Sequence, residues 1–314
     1  MSGPAPHVCV VGSTNMDLIA RVPHMPQLGE TLHGTSFHLG YGGKGANQAV
    51  MAAKLGARVT MVARVGHDVF GEGMLRNFEG SGIDTTFINV DPELSSGVAP
   101  IFVDDNAHNV IVIVSGANAA LSPADVHAAR DAIRSSSVVV CQLEVPIETT
   151  LEAFRIAKSG GALTILNPAP AEPLPVELFS LTDICAPNET EAQGLTGLPV
   201  RTVDEAEAAA RKLLSHGMRT VIVTLGERGV LYADSNGAKY LPARQVKAVD
   251  PTGAGDAFIG SLAVFIAEGL SISQAIGKAN AVAALSVTHP GTQVSYPTRS
   301  EADAFIDCVA GPTN

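Results

Sequence analysis

The sequence predicts an α/β fold: a mainly parallel central sheet with helices on both faces, plus a small β lid. Three observations carry this. Short runs rich in Val and Ile recur along the chain, bounded by Gly, Asn or Pro, as in strands covered on both faces. Stretches with apolar positions at helical spacing separate them, which makes successive strands parallel neighbours joined by helical crossovers. Two regions break this alternation, with strand following strand and no helix between.

In chain order the strand runs are "HVCVVG" (7–12), "RVTMVARVG" (58–66), "SSVVVCQL" (136–143), "ALTILN" (162–167), "TDICAPN" (182–188) and "RTVIVTLG" (219–226). The helical patterns between them are "GANQAVMAAKLGA" (45–57), "SPADVHAARDAIRSS" (122–136), "PIETTLEAFRIAKSGG" (146–161) and "TVDEAEAAARKLLSHG" (202–217). The strand-only excursions cover 17–41 and 95–116. They alternate polar and apolar residues and read as antiparallel pieces, so the lid is expected from about 18–41 and 96–115. Near the end, "GAGDAFIGSLAVFIAEG" and "SISQAIGKANAVAALSVTH" read as two Ala- and Gly-rich helices able to pack closely. No repeat, low-complexity tract or linker divides residues 1–314, which read as a single domain with an excursion.

Bulk properties narrow the function. The net charge is −11 and no basic stripe is present, which argues against nucleic acid as a partner. An anionic small substrate would need a local positive site such as helix N-termini or a metal ion. Nearly half the residues are apolar, yet no stretch approaches the roughly 20 apolar residues of a membrane span. With no secretory signal and no targeting tail, the expected location is cytoplasmic. Four cysteines (Cys9, Cys141, Cys185, Cys308) lie far apart without a CxxC pair, a pattern of reduced thiols rather than of a disulfide framework or zinc site.

Two glycine motifs carry the chemistry. "GYGGKGAN" contains a literal GxGxxG at Gly40, Gly42 and Gly45, which by spacing alone suits a nicotinamide dinucleotide. That fingerprint should follow the first core strand, whereas here it follows the irregular segment. Nor is it a phosphate-binding Walker loop, because Lys44 is followed by Gly45 where Ser or Thr is required. Lys44 and Asn47, interleaved with small residues, can donate hydrogen bonds toward a ligand.

The second motif is "VDPTGAGDAFIG". Gly253, Ala254 and Gly255 stand where a helix begins, and the first amides of a helix are unpaired donors with partial positive charge. Asp256 beside them reads in two ways. It is a helix cap worth about 1 kcal/mol, or it accepts the proton of an attacking hydroxyl while the amides hold a transferring phosphoryl group. A cap does not require two flanking glycines, but the residues alone leave both readings open.

With both motifs in hand, the chain resembles the ribokinase-like carbohydrate kinases, the phosphofructokinase-B family. "GGKGANQA" is similar to the family's first signature and "DPTGAGDAF" to its second. "GANAALSP", "NPAPA", "PNETEA" and "TLGERG" fall between them in the family's order, so the resemblance covers about 8–297. It implies a β lid over a sugar site and a homodimer whose lids clasp. It also implies ATP-dependent phosphorylation of D-ribose at the 5-hydroxyl, giving ribose 5-phosphate and ADP.

By the same resemblance Asn15 and Asp17 of "STNMD", the loop residues Gly42, Gly43, Lys44 and Asn47, and Glu144 of "CQLEVP" would bind sugar. Without it, Asp17 reads as a turn residue and Glu144 as a loop carboxylate. Asp256 would be the catalytic base, with Gly253, Ala254 and Gly255 as anion hole. Asn188 and Glu191 would organise Mg²⁺ near the phosphates, consistent with that ion's preference for few carboxylates and retained water. Composition alone makes the same segment a capped helix start.

Thr224, Gly226 and Gly229 would lie beneath ATP, and Asn280, otherwise a packing amide, would line the adenine pocket. A monovalent cation, usually K⁺, would be held by Asp250 and Thr252 on one side. Ser286, His289, Gly291 and Ser295 would hold it on the other, several through carbonyls. Pro290 departs from the pattern there. Alternatives are a sibling kinase for deoxyribose, fructose or a nucleoside such as adenosine, a nicotinamide oxidoreductase, and a catalytically silent sugar-binding protein.

Overall fold

The computed structural model describes residues 5–106 and 108–310. The chain runs β1 (His7–Val11), β2 (Asn15–Arg21), β3 (Ser36–Gly42), α1 (Lys44–Lys54), β4 (Arg58–Gly66), α2 (Val69–Gly80), β5 (Asp84–Asp91), β6 (Gly97–Val103) and β7 (Asn109–Ile111). It continues with α3 (Pro123–Ala128), α4 (Arg130–Ser135), β8 (Val138–Cys141), α5 (Ile147–Gly160), β9 (Leu163–Leu166), α6 (Val176–Leu181), β10 (Ile184–Cys185), α7 (Glu189–Thr196) and α8 (Val203–Ser215). It closes with β11 (Thr220–Thr224), β12 (Gly229–Asp234), β13 (Gly237–Pro242), α9 (Ala254–Ala267), α10 (Ile272–Ser286) and α11 (Arg299–Ala310).

A nine-stranded sheet in the order β13-β12-β11-β10-β9-β8-β1-β4-β5 forms the centre. From β11 to β5 all neighbours are parallel, while β12 and β13 form an antiparallel edge. Successive side chains of a strand point to opposite faces, and β1 shows the consequence. Val8 and Val10 pack into a core with α1, α9 and α10, whereas Cys9 and Val11 pack into a second core with α3 and α5. A third, Ala-rich core lies between α8 and β11–β12. Cys9, Cys141 and Cys185 are buried core residues; Cys308 is exposed.

Several elements differ from the sequence expectation. The single helical pattern at 122–136 is two short helices, α3 and α4, meeting at Ala129. The edge strands β12 and β13, with α2, β5 and α11, are additions that periodicity did not single out.

The second sheet has the order β3-β2-β6-β7 and holds the two strand-only regions together. The expectation of purely antiparallel pieces needs correction. β2 with β3 and β6 with β7 are antiparallel, but β2 and β6 run parallel, from Asn15 opposite Gly97 to Arg21 opposite Val103. The reason is topological. β2 follows β1 and β6 follows β5, two strands that point the same way in the main sheet, so both extensions leave it in one direction. Asp68, the cap of α2, helps fix that exit: its carboxylate accepts the amide of Ser96 at 2.8 Å, just before β6 begins.

Candidate active site

The site lies where β1, β8, β9, β10 and β11 end and the second sheet begins. This is the edge of a parallel sheet at which strand-to-helix loops gather ligands. Two adjoining cavities occupy it. One, about 180 Å³, is lined by Lys44, Asn188, Glu191, Thr224, Gly253 and Asp256 among others. The other, about 450 Å³, is lined by Asn15, Asn118, Glu144 and the apolar Ile113, Leu143 and Ile147.

The first cavity is built on the start of α9. Gly253 is its N-cap with φ 77°, in the left-handed region that favours glycine. A Cβ there would also lie 2.7 Å from the hydroxyl oxygen of Tyr296. Of the three amides expected to face an anion, that of Ala254 is given to the carbonyl of Pro251 at 3.2 Å. Those of Gly253, Gly255 and Asp256 have no protein acceptor among the described residues, and these are the groups available to a phosphate.

Asp256, in the first turn, is 8% exposed and does not cap its own helix. Its Oδ2 accepts Asn47 Nδ2 and its Oδ1 accepts Gln48 Nε2, both at 2.9 Å. Burial pushes its carboxyl above the usual range, against the pull of Lys44 and of the two amides. Burial pulls the Lys44 ammonium down, but Asp256, Glu144 and Glu191 together more than offset it and hold it above its ordinary value.

α1 enters the site because its first residues lie tight against the end of β1. Gly43 has φ 87°, and a Cβ there would meet Asn15 N and Thr14 Cα at 2.7 Å. The GxGxxG spacing thus has a packing cause: Gly42 lies against the Asp17 carboxylate and Gly45 against the backbone of Gly12 and Ser13, which lets β3 and α1 approach the β1–β2 turn. Glu144 crosses to the same place, its Oε2 accepting Ser13 Oγ at 2.5 Å and the Lys44 amide at 3.1 Å. It serves as an acceptor at the start of α1 and also lines the larger cavity.

Asp17 sits on β2 opposite Gly40, with its carboxylate against Gly42. Burial, then the charges of Glu144 and Asp256, push it up to about 7. Asn15 Oδ1 accepts Asn118 Nδ2 at 2.8 Å, and Asn118 is locked in turn by both backbone groups of Thr14 at 3.0 Å. The amide nitrogen of Asn15 is therefore left facing the cavity.

Asn188 and Glu191 form a reciprocal capping box on α7, with Asn188 Oδ1 accepting the Glu191 amide and Glu191 accepting the Asn188 amide, both at 2.8 Å. Burial raises the Glu191 carboxyl, against the Asn188 amide and Lys44. Both Glu191 oxygens are engaged by Asn188 yet keep a second lone pair each. That donor set of hard oxygens suits a hydrated Mg²⁺ held through water. Thr224 ends β11 beside Asn188, and Gly226 (φ 56°) and Gly229 (φ 115°) bracket the turn that follows. Asn280 lies on α10, donates to the carbonyl of Pro242 at 3.0 Å and lines neither cavity.

The two expected halves of the cation site do meet. Asp250 Oδ2 accepts the Gly291 amide at 2.9 Å and Oδ1 accepts that of Thr252 at 3.0 Å. Ser286 and Ser295 turn their hydroxyl protons to the carbonyls of Ala283 and Thr292, and His289 is paired with Thr288. The carboxylate of Asp250 and the hydroxyls of Ser286 and Ser295 offer oxygen donors of the kind an alkali cation would take.

Sequence reading missed the amides behind Asp256 (Gln48, Gln142, Asn167, Gln293), together with Asn118 and Tyr296. Gln48, Asn118 and Asn167 lie inside "GGKGANQA", "GANAALSP" and "NPAPA", and Gln142 directly follows the buried β8. A polar residue in a buried run was the available signal.

Fold and site together define a sugar kinase, a phosphotransferase with an alcohol group as acceptor. The comparisons make the assignment specific: the pfkB family of carbohydrate kinases matches residues 5–299, and the chain belongs to that family. It is 45% identical over 300 residues to the deoxyribokinase of Salmonella typhimurium, covering 95% of this chain and 98% of that one. It is 41% identical to the ribokinase of Mus musculus, covering 94% and 93%. The structure of Arabidopsis thaliana ribokinase complexed with ribose and ATP superposes with a TM-score of 0.90 at 31% identity, over 96% of this chain and 99% of that one. Within its family the chain is thus a kinase of the ribokinase group.

Proposed function

We propose that this enzyme transfers the γ-phosphoryl group of ATP to the 5-hydroxyl of D-ribose, giving D-ribose 5-phosphate and ADP. The observation that carries the reading is the placement of Asp256. It is a buried carboxylate with both oxygens held, lining the cavity with the free helix amides, and Lys44 of that cavity gives its backbone amide to Glu144, which lines the larger cavity with Asn15. In the reaction the hydroxyl proton passes to Asp256 while the hydroxyl oxygen bonds to the γ-phosphorus. The bond from that phosphorus to the bridging oxygen breaks, and ADP leaves with the electron pair. The amides of Gly253 and Gly255 and the Lys44 ammonium stabilise the charge that develops on the phosphoryl oxygens. Asn188 and Glu191 would hold Mg²⁺ through its waters, and that ion would supply neutralisation of the phosphates. Thr224, Gly226 and Gly229 support the nucleotide, with Asn280 at the adenine end. Asp250 and Thr252, with Ser286, His289, Gly291 and Ser295, would hold K⁺ behind the α9 loop.

The choice of ribose rests on Asp17 beside the free amide nitrogen of Asn15. An acceptor next to a donor suits two adjacent hydroxyls, and ribose carries the 2,3-diol that 2-deoxyribose lacks. The likeness to the Salmonella deoxyribokinase keeps 2-deoxyribose as the second reading. The second sheet would act as the lid. Its apolar residues Phe37, Leu39, Val110 and Ile111 are exposed and would be covered by the same sheet of a second copy in a homodimer. Among the described residues no helix is long and apolar enough to cross a membrane.

The test is ATP turnover with D-ribose, 2-deoxyribose, fructose and adenosine, with Asp256→Asn in parallel. Ribose is expected to be turned over best. The variant should lose about 10²–10⁴ in kcat while retaining ribose affinity by calorimetry. Faster turnover of 2-deoxyribose or adenosine would move the substrate assignment and leave the chemistry standing. Undiminished turnover in the variant would refute Asp256 as the base.

A further inference from the structure

Asp256 is held by a chain of side-chain amides that runs in one direction. α1 presents Asn47 and Gln48 to the two oxygens of one carboxylate. Consecutive helical positions point about 100° apart, so the carboxylate is seated between them and cannot rotate without losing a bond. A carboxylate oxygen only accepts, which forces both amide nitrogens to face it.

From there each orientation dictates the next. The second N–H of Gln48 goes to Asn167 Oδ1 at 3.0 Å, and Asn167 Nδ2 goes to the carbonyl of Ala186 at 3.1 Å, another group that can only accept. Gln48 Oε1 must then take a donor, which is Gln142 Nε2 at 2.6 Å. The chain ends at Gln142 Oε1, which is fully buried without a partner and lies against the Cα of Gly12. On the other side Gln293 Nε2 donates to Asn47 Oδ1 at 3.0 Å, and Asn77 Nδ2 donates to Gln293 Oε1 at 2.9 Å.

Gln48 and Gln142 are both 0% exposed, in a region where two apolar side chains would fill the space without leaving an orphan oxygen. A buried carbonyl oxygen without a donor is costly and rare. What the pair contributes in return is a fixed direction of donation into Asp256.

We propose that Gln48, its orientation set by Gln142, is a positioning residue for phosphoryl transfer, fixing the rotation of the Asp256 carboxylate so that a lone pair faces the acceptor hydroxyl. The proposal rests on Asp256 being the proton acceptor. The charged and titratable groups around that carboxylate are Lys44 on α1, Asp17 on β2, Glu144 after β8, Glu191 on α7 and Tyr296 before α11. Among them Lys44 favours the ionised form of Asp256 as Gln48 does, while burial and Glu144 oppose it. Losing the Gln48 donor therefore moves the protonation of Asp256 to higher pH.

The experiment compares Gln48→Met, Gln48→Glu and Gln142→Met with Asp256→Asn, using the whole enzyme, ATP and ribose. The readouts are kcat, KM for ribose, the pH profile of kcat and Tm. Gln48→Met is expected to lower kcat by about 10- to 100-fold, with KM for ribose within about threefold. The acid limb of its profile should move up by about one pH unit. Gln48→Glu, which sets a carboxylate against Asp256 and Asn167 Oδ1, should fall further and shift more. Gln142→Met leaves Gln48 in place but free to turn over, so a smaller loss with the same direction of shift is expected. It also carries the test should the Gln48 variants fail to fold. An unmoved acid limb in the folded variants, or a loss confined to KM or Tm, would overturn the positioning role. Undiminished turnover by Asp256→Asn would instead remove the base itself, and the proposal with it.

Discussion

The hydroxyl of Tyr296 donates to the carbonyl of Gly253 at 3.0 Å, tying the loop before α11 to the N-cap of α9. Burial, with the charge of Asp256, raises the Tyr296 hydroxyl well above its ordinary value, so it stays a donor at any working pH. Lys54 secures the same loop, its ammonium donating to the carbonyls of Gln293 and Tyr296 at 2.8 and 2.7 Å.

Removing that one hydroxyl should loosen the start of α9 without touching the residues proposed to bind sugar. Tyr296→Phe is expected to lose about 0.5–1.5 kcal/mol of stability and to lower kcat more than it raises KM for ribose. Urea unfolding and steady-state kinetics check both.

Asp17 couples stability to pH. Its carboxyl has an ordinary value of 3.8 and is raised to about 7 in the folded chain. The folded state then binds the proton more tightly than the unfolded state, so this group's contribution falls as pH climbs from about 4 to about 7 and stays unfavourable above. Asp17→Asn should raise Tm at pH 8, with the gain vanishing near pH 4, while losing ribose affinity. In the wild type, ribose affinity should weaken below about pH 7, approaching tenfold per pH unit, as the acceptor is protonated. Thermal unfolding and ribose titration across pH test both signs.

Gly43 cannot carry a side chain. Its φ of 87° and the backbone of Thr14 and Asn15 against it predict a loss of about 1–3 kcal/mol in Gly43→Ala, together with weaker ribose binding because the displaced backbone carries Asn15. Denaturant unfolding and calorimetric titration of ribose separate the two effects.

Asp250 joins the two halves of the proposed cation site through Thr252 and Gly291. Replacing K⁺ by Na⁺ should lower wild-type turnover. Asp250→Asn should lower it in K⁺ and leave little further response to the exchange. A variant still stimulated by K⁺ would place the ion elsewhere.

Much of this was legible in the sequence. The Val/Ile runs marked the core strands because a strand buried on both faces must be apolar throughout, as β1 and β8 are. The two strand-only stretches became one sheet, and Gly43 and Gly45 of the first signature lie where backbone meets backbone. Less legible was how these pieces pair. That β2 and β6 run parallel depends on strands 76 residues apart in the chain leaving one sheet edge together, as β1 and β5 set them. The break between α3 and α4 at Ala129 leaves no mark in an uninterrupted apolar period.

By itself the sequence determined the α/β class, the family and most of the segments that line the two cavities, because hydrophobic period and glycine placement act on the local backbone. Only the tertiary structure decided which groups hold Asp256 and in which direction they donate. Asn47 and Gln48 lie more than 200 residues from that carboxylate in the chain, and their side chains meet it only because α1 and α9 pack together. Hydrogen bonds reach about 3 Å, so such partnerships are set by how helices dock and leave no periodic trace in the order of residues.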